Sequence, residues 1–349
     1  MNYYDLADIT QATLFNDRKN KIVNLDANRL RSYPMTNRLL RKNVVREQGG
    51  LDYRWLVDVS SPGKATSFSA WHTKNRTQTD SMKKASMQLR GSTTDFSFDA
   101  LEEDFNAGQF EIVNIVRNRR QNAMIDMTKK IERDAWSNAD VDDDETPQGM
   151  MYWLPYASGD GGFVGTVPSG YTLVAGLNPS TYTAWKSWGG AYVAVTQGDL
   201  ILKMRNAWVD TDFMSPINPM LIMDGVSHDW AIYVNKPTLF EFEDQARDQN
   251  DNLGPDVSSM NGRAMFSRTP LEEVPTLNTT LQSFSTRSPV IGINWGAMEN
   301  RVRKDWWMKV EKVAQDADQP FTVSYDLYCY YQPVMLDRRT GGFNIAKAA

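Results

Sequence analysis

The sequence predicts an α+β fold, and three observations carry that assignment. Two stretches, 52–59 and 321–334, alternate apolar and polar side chains, the period of strands with one covered face. A run from 99 to 136 repeats apolar residues near helical spacing. Hydrophobic residues make up 41 % of the 349, with 14 Phe, 14 Tyr, 11 Trp and 17 Met, which excludes global disorder and leaves ample material for a core.

The elements follow in order. Residues 1–49 are polar, rich in Asn and Arg and broken at Tyr33-Pro34, so they predict an extended arm with short helical pieces near Leu6, Ile9 and Thr13 and a local anchor at Leu39-Leu40. From 52 onward Tyr53, Trp55, Val57 and Val59 share one strand face, with Arg54, Leu56 and Asp58 on the other. The turn Ser60-Ser61-Pro62-Gly63 leads to a second extended stretch through Thr66, Phe68 and Ala70, then to the polar run HTKNRTQTDSMKK and a return strand at 86–98. This excursion is expected to project from the body onto a partner, because an isolated two-stranded ribbon is only marginally stable.

Asp99, with Glu102, Glu103 and Asp104, predicts a helix start at the positive end of a helix dipole. Leu101, Phe105, Ile112, Ile115, Val116, Ile125, Met127, Ile131 and Ala135 mark its buried stripe as far as Trp136, an expected length of roughly 50 Å. Residues 138–149, with five carboxylates, predict a solvated loop. The aromatic, Gly- and Pro-rich stretch 150–176 predicts short strands and turns, and Asp199, Leu200, Ile201, Met204 and Trp208 a compact helix. Further strands are expected at 221–223 and 230–234, a helix end and loop at 241–255, and strands at 290–295, around Trp306-Trp307 and Val310, and at 321–334. Internal repeats and heptads are absent from the sequence.

Charge is distributed unevenly. Residues 18–90 hold 16 Lys and Arg against 5 Asp and Glu, a local +11, so the remainder carries −16 to give the net −5. A basic end suits nucleic acid or the acidic surface of an identical neighbour. Two His and one Cys disfavour a zinc ribbon or a disulfide-stapled module, and Cys329 fits a reducing compartment. The N-terminus carries no signal-peptide pattern, and no run nears the roughly 18 apolar residues of a membrane span.

Catalytic constellations find little support. His72 and His228 are the imidazoles available to a triad, and neither has a nucleophile and acid in an evident arrangement. Cys329, in an aromatic strand, reads as a buried hydrophobe. Gly159, Gly161, Gly162 and Gly165 are not followed by the Lys-Ser/Thr of a phosphate loop, and the acidic stretches 140–145 and 241–251 lack EF-hand spacing. The Trp residues fall in packing patterns rather than in a sugar-stacking array. No cofactor, no metal and no catalytic residue is assigned.

The order of arm, basic β excursion, long helix, mixed region and final long strand resembles the HK97-type major capsid proteins of tailed bacteriophages, over nearly the whole chain. Within that resemblance 53–98 is similar to the extended E-loop and 97–136 to the spine helix. NPSTYTAWKSWGG (178–190) with the helix after it is similar to the axial domain, and VRKDWWMKVEK with CYYQPVMLDRRTGG to the close of the peripheral sheet. The domains implied are an N-terminal arm at 1–50, an E-loop at 51–97, and a peripheral domain with its spine helix at 98–149. An axial domain follows at 150–235, and 236–349 completes the peripheral domain or returns in part to the axial one.

The resemblance implies a structural, non-enzymatic protein of the virion, assembled in the host bacterial cytoplasm, whose identical subunits form hexamers and pentamers of an icosahedral shell. Its packaged double-stranded DNA faces the inner surface, and its partners are a portal protein and, optionally, a decoration protein; no membrane is involved. The polar arm is too short for a fused scaffold, so a separate scaffolding protein is expected. Lys64 and Lys74 lie in the excursion, yet no motif singles out an Asn partner, and no crosslink is expected. The candidates for contact between subunits are Arg54, Lys64, Lys74, Arg76, Lys83, Lys84, Arg90, Arg117, Arg119 and Arg120. An encapsulin-like compartment shell shares the fold and is the alternative. A carbohydrate-binding or carbohydrate-active protein is the alternative from another class.

Overall fold

A computed structural model describes residues 33–41, 44–59, 67–68, 80–99, 115–211, 229–249, 264–267, 269–313 and 321–348. Helix α1 (Pro34–Arg41) begins at a proline, whose fixed φ suits a first helical turn, and β1 (Val44–Glu47) follows. Strands β2 (Asp52–Asp58) and β3 (Met82–Gln88) pair antiparallel, and β4 (Arg90–Asp99) leads toward α2 (Ile115–Trp136). The chain then forms α3 (Met150–Trp153), β5 (Gly162–Val164), β6 (Ser187–Tyr192) and α4 (Leu200–Thr211). After β7 (Trp230–Val234), Asn235 accepts the Thr238 amide at 3.2 Å and so caps α5 (Lys236–Gln249). The remaining elements are β8 (Met265–Phe266), β9 (Thr269–Glu273), α6 (Phe284–Arg287), β10 (Val290–Asn294), β11 (Met298–Arg303), β12 (Lys309–Lys312), β13 (Thr322–Met335) and β14 (Gly342–Lys347).

Strand β13 organises a five-stranded sheet. β4 runs antiparallel along one side of it, from Thr322 opposite Asp99 to Tyr331 opposite Arg90, while β12 and β11 share the other side and β1 extends β11 in parallel. A seven-stranded sheet has the order β5-β6-β14-β10-β7-β9-β8. The chain crosses from the larger sheet to the smaller between β10 and β11, and returns between β13 and β14. Gly292 permits that larger sheet to close, since a Cβ there would come within 2.3 Å of the Phe343 ring.

Alternation divides the side chains of β7 and β10 between two cores. Ala231, Tyr233, Ile291 and Ile293 face the first, which also takes Met127, Ile131 and Trp136 of α2, all of α3, and Leu327, Cys329 and Tyr331 of β13. Ile232, Val234 and Val290 face the second, with Leu200, Ile201 and Met204 of α4 and Phe242 of α5. Gly149 sits where the backbone at the end of α2 leaves no room, because a Cβ would meet the Asp134 carbonyl at 2.2 Å.

Several expectations change in the structure. The return strand is two strands, divided at Leu89: β3 pairs back to β2 while β4 joins β13, and a period of two cannot reveal a change of partner. The described, paired part of the excursion lies against the body, since Ala85 and Met87 are buried and Tyr53, Trp55 and Val57 pack on the first core; its outer part, 60–66 and 69–79, lies outside the described residues. Asp99 is the last residue of β4, and the described part of the long helix has 22 residues, about 33 Å; its expected start after Asp99 falls in 100–114, outside the described residues. The carboxylates at 102–104 and the stripe residues Leu101, Phe105 and Ile112 lie outside the described residues, as do 221–223. Residues 150–153 form a buried helical turn because all four side chains enter the core. Helix α5 occupies ground read as a helix end and loop, and β11 and β14 carried no separate expectation.

Candidate functional site

The outward face of the β2–β3 hairpin is the surface that the sequence pointed to. Its inward face is held by Tyr53, Trp55 and Val57, the Trp55 indole N–H donating to the Leu336 carbonyl at 3.3 Å. Arg301 lies 3.9 Å from the centre of the Tyr53 ring, donates to its hydroxyl at 2.7 Å, and pairs with Glu47 at 2.7 Å and with Glu299. The Ser86 amide donates to the Ala175 carbonyl at 3.0 Å, tying β3 to the body. The other face presents Asp52, Arg54, Leu56, Asp58, Met82 and Lys84, with Leu56 directly opposite Lys84 and Asp58 opposite Met82. Leu56 is 69 % exposed, Met82 58 % and Leu51, just before the hairpin, 63 %. Two large exposed apolar side chains on one face of a ribbon suit an interface better than a solvated loop.

The sequence candidates separate. Arg54 is exposed and pairs with Asp52 at 3.2 Å, Lys83 pairs with Asp80 at 2.7 Å, and Lys84 is exposed. The Lys83 ammonium, hydrogen-bonded to Asp80, lowers the carboxyl below its ordinary range and is itself raised. The hairpin thus gathers Arg54, Lys83 and Lys84, with Lys83 on the opposite face from the other two. Arg90 belongs to another environment. Its side chain is only 11 % exposed, donates to the carbonyls of Asp143 and Thr146 at 2.7 and 2.8 Å, and stands 3.6 Å from Asp144. Its charge therefore organises the chain's own acidic loop, where the Asp143 carboxylate also accepts the Glu145 and Thr146 amides. Arg119 on α2 donates to the Ser97 carbonyl at 2.7 Å, and Arg120 is exposed. The side chain of Arg117, and Lys64, Lys74, Arg76, His72 and His228, lie outside the described residues.

Sequence reasoning passed over the buried charges Glu132, Asp134 and Arg338, of which the first and last are the most enclosed. Glu132 interrupts the apolar stripe of α2 and accepts hydrogen bonds from the Thr36 amide, the Thr36 hydroxyl and the Trp136 indole, each at 2.7 Å. Burial pushes its carboxyl above the ordinary value, and those donors oppose the rise. A carboxylate on a stripe, four residues before a Trp, was the available signal. Arg338, fully buried between β13 and β14, sits in a polar run that offered no signal.

A cleft of about 520 Å³ opens on the five-stranded sheet among Gly91, Thr93, Arg303, Trp306, Tyr328 and Tyr330. Cys329 contributes to its wall, but burial pushes the thiol up to about 12, so it stays protonated and is a poor nucleophile. Among the described residues no group of three His, Cys, Asp or Glu is placed to hold a metal ion.

No protein-family model matches the sequence, and no curated protein matches it. Solved structures do. The chain is similar to the capsid subunit of cyanophage A-1(L), with a TM-score of 0.62 at 13 % identity, over 90 % of this chain and 92 % of that one. It is similar to the capsid of the Myoviridae phage XM1, with a TM-score of 0.53 at 11 % identity over 89 % and 92 %. The SrpI encapsulin of Synechococcus elongatus gives 0.55 at 9 % identity over 97 % and 94 %.

Proposed function

From a chain that has the HK97-type capsid fold, we propose a structural function: many copies close into an icosahedral shell that encloses the double-stranded DNA of a tailed phage. The observation that carries this reading is the β2–β3 hairpin, which packs one face on its own subunit and presents Leu56 and Met82 outward beside Arg54 and Lys84. In a shell a neighbouring copy covers that face, where Arg54 and Lys84 stand with Asp52 and Asp58 and offer charges of both signs to the next chain. Division into arm, E-loop, peripheral domain and axial domain, assembly in the host cytoplasm, and a separate scaffolding protein and portal all belong to the same proposal.

Electron microscopy of the purified protein tests it. Wild-type protein should form closed shells of uniform size, alone or with its scaffolding protein, and Leu56→Asp with Met82→Asp should stay folded and fail to close. Closed shells from that double variant would remove the hairpin from the interface, and a monodisperse monomer under all conditions would remove the shell. The encapsulin reading is supported by a fold similarity of comparable extent. Shells purified from the native source decide between them: packaged DNA supports the phage head, and an enzyme cargo without DNA the compartment.

A further inference from the structure

Helix α1 and strand β1 between them touch both sheets. Thr36 donates its amide and hydroxyl to Glu132 of α2, the helix that packs on the five-stranded sheet. Arg38 reaches Asp229, next to β7 of the seven-stranded sheet, at 2.9 Å, and its guanidinium lies over the Trp295 ring at 5.3 Å, where β10 has just ended. Asn300 of β11 donates to the Leu39 carbonyl at 3.1 Å, and β1 then runs parallel to β11. Met35 and Leu39 fill the core beneath. The anchors thus bracket the β10–β11 crossing, where the chain passes from one sheet to the other.

Glu132 differs from the other anchors. Its three donors are neutral dipoles, so the hydrogen bonds are charge-assisted while the charge itself is denied water. Undocking α1 would return that carboxylate to water and offset much of what the bonds contribute. A latch of this kind holds firmly but sits near balance. We propose that α1 and β1 form a strap that bolts the two sheets together, with Glu132 as its catch: docked, the strap fixes the angle at the β10–β11 crossing, and released, it lets the sheets hinge there. On the shell reading such a hinge would let one sequence occupy five-fold and six-fold positions; the device itself depends only on contacts within one chain.

Hydrogen–deuterium exchange on the full chain tests this, comparing wild type with Glu132→Gln, which keeps the size but turns an amide N–H₂ against the donors. Amide exchange in 34–41 should rise about tenfold or more. Amides of 291–302 should rise with it, while those of 325–328, paired on both sides in the smaller sheet, stay as in wild type. Loosening of 34–41 with an unmoved crossing would show the strap to be a passive cover and overturn the bolting role; unchanged exchange in 34–41 would overturn the catch. Should Glu132→Gln lose protection everywhere, Thr36→Val removes one donor at nearly constant volume and is read on the same amides by the same two criteria. Shell formation is scored separately by electron microscopy, so failure of the strap and failure of the shell reading are told apart.

Discussion

Arg338 and Glu132 are opposite charges buried in different ways, and their chemistry predicts different behaviour. Arg338 donates to three backbone carbonyls, those of Trp153 at 2.7 Å, Thr166 at 2.9 Å and Trp185 at 3.3 Å, and burial pulls its pKa down to about 9. It ties α3, the loop after β5 and the turn just before β6 to the β13–β14 connection. Arg338→Met keeps the volume and strands those carbonyls, so urea unfolding should show a loss of about 2–5 kcal/mol, and a variant as stable as wild type would mean that the carbonyls find other donors. Glu132 holds its proton more tightly folded than unfolded, its pKa being raised above the ordinary 4.5. Its stabilising contribution is therefore complete below that value and is lost as pH rises through the folded pKa. The stability of wild type relative to Glu132→Gln should fall as pH rises from about 4.5, and a difference that grows with pH would reverse the sign of this argument. Residue type was legible in the sequence but residue partner was not: Arg90 read as a contact for a neighbour because a charge does not announce that its own loop will enclose it.

Helix α2 shows what periodicity can establish at the scale of an element. Ile125, Met127, Ile131 and Ala135 were read as its stripe, and all four are buried, with Ile131 in the cluster that holds Leu327, Cys329 and Tyr331. Ile131→Asp should unfold the protein or cost about 4 kcal/mol or more, by placing a carboxylate where Ile131 has no exposure. Arg120→Gln, on the exposed face, should leave the circular dichroism melting curve unchanged. A soluble Ile131→Asp protein that melts like wild type would show that the stripe has been placed on the wrong face. The strand before that helix shows the limit of local pattern: ten consecutive pairings with β13, a segment more than two hundred residues away, keep β4 extended through Asp99, and no local period names that partner.

On the scale of the whole molecule, the +11 of residues 18–90 against the −16 elsewhere is a property of the chain whose use depends on assembly. If the basic segment serves contacts between copies, unassembled protein should bind DNA weakly in filter binding at physiological salt. Tight binding with a salt slope of many phosphate contacts would instead assign that charge to DNA. By itself the sequence determined the α+β class, the long strand at 321–334, the helix ending at Trp136, the compact helix before Trp208 and the order of elements that resembles a capsid subunit. Each of these rests on local period or on linear order, which a single chain carries in full. Only the tertiary structure decided that 82–99 divides between two sheets, that β14 returns to the sheet of β6, that Arg90 turns inward, and that Glu132 and Arg338 are buried charges with backbone and hydroxyl partners. Those outcomes depend on which distant backbone groups satisfy one another once water is excluded, and that information lies in no window of the sequence.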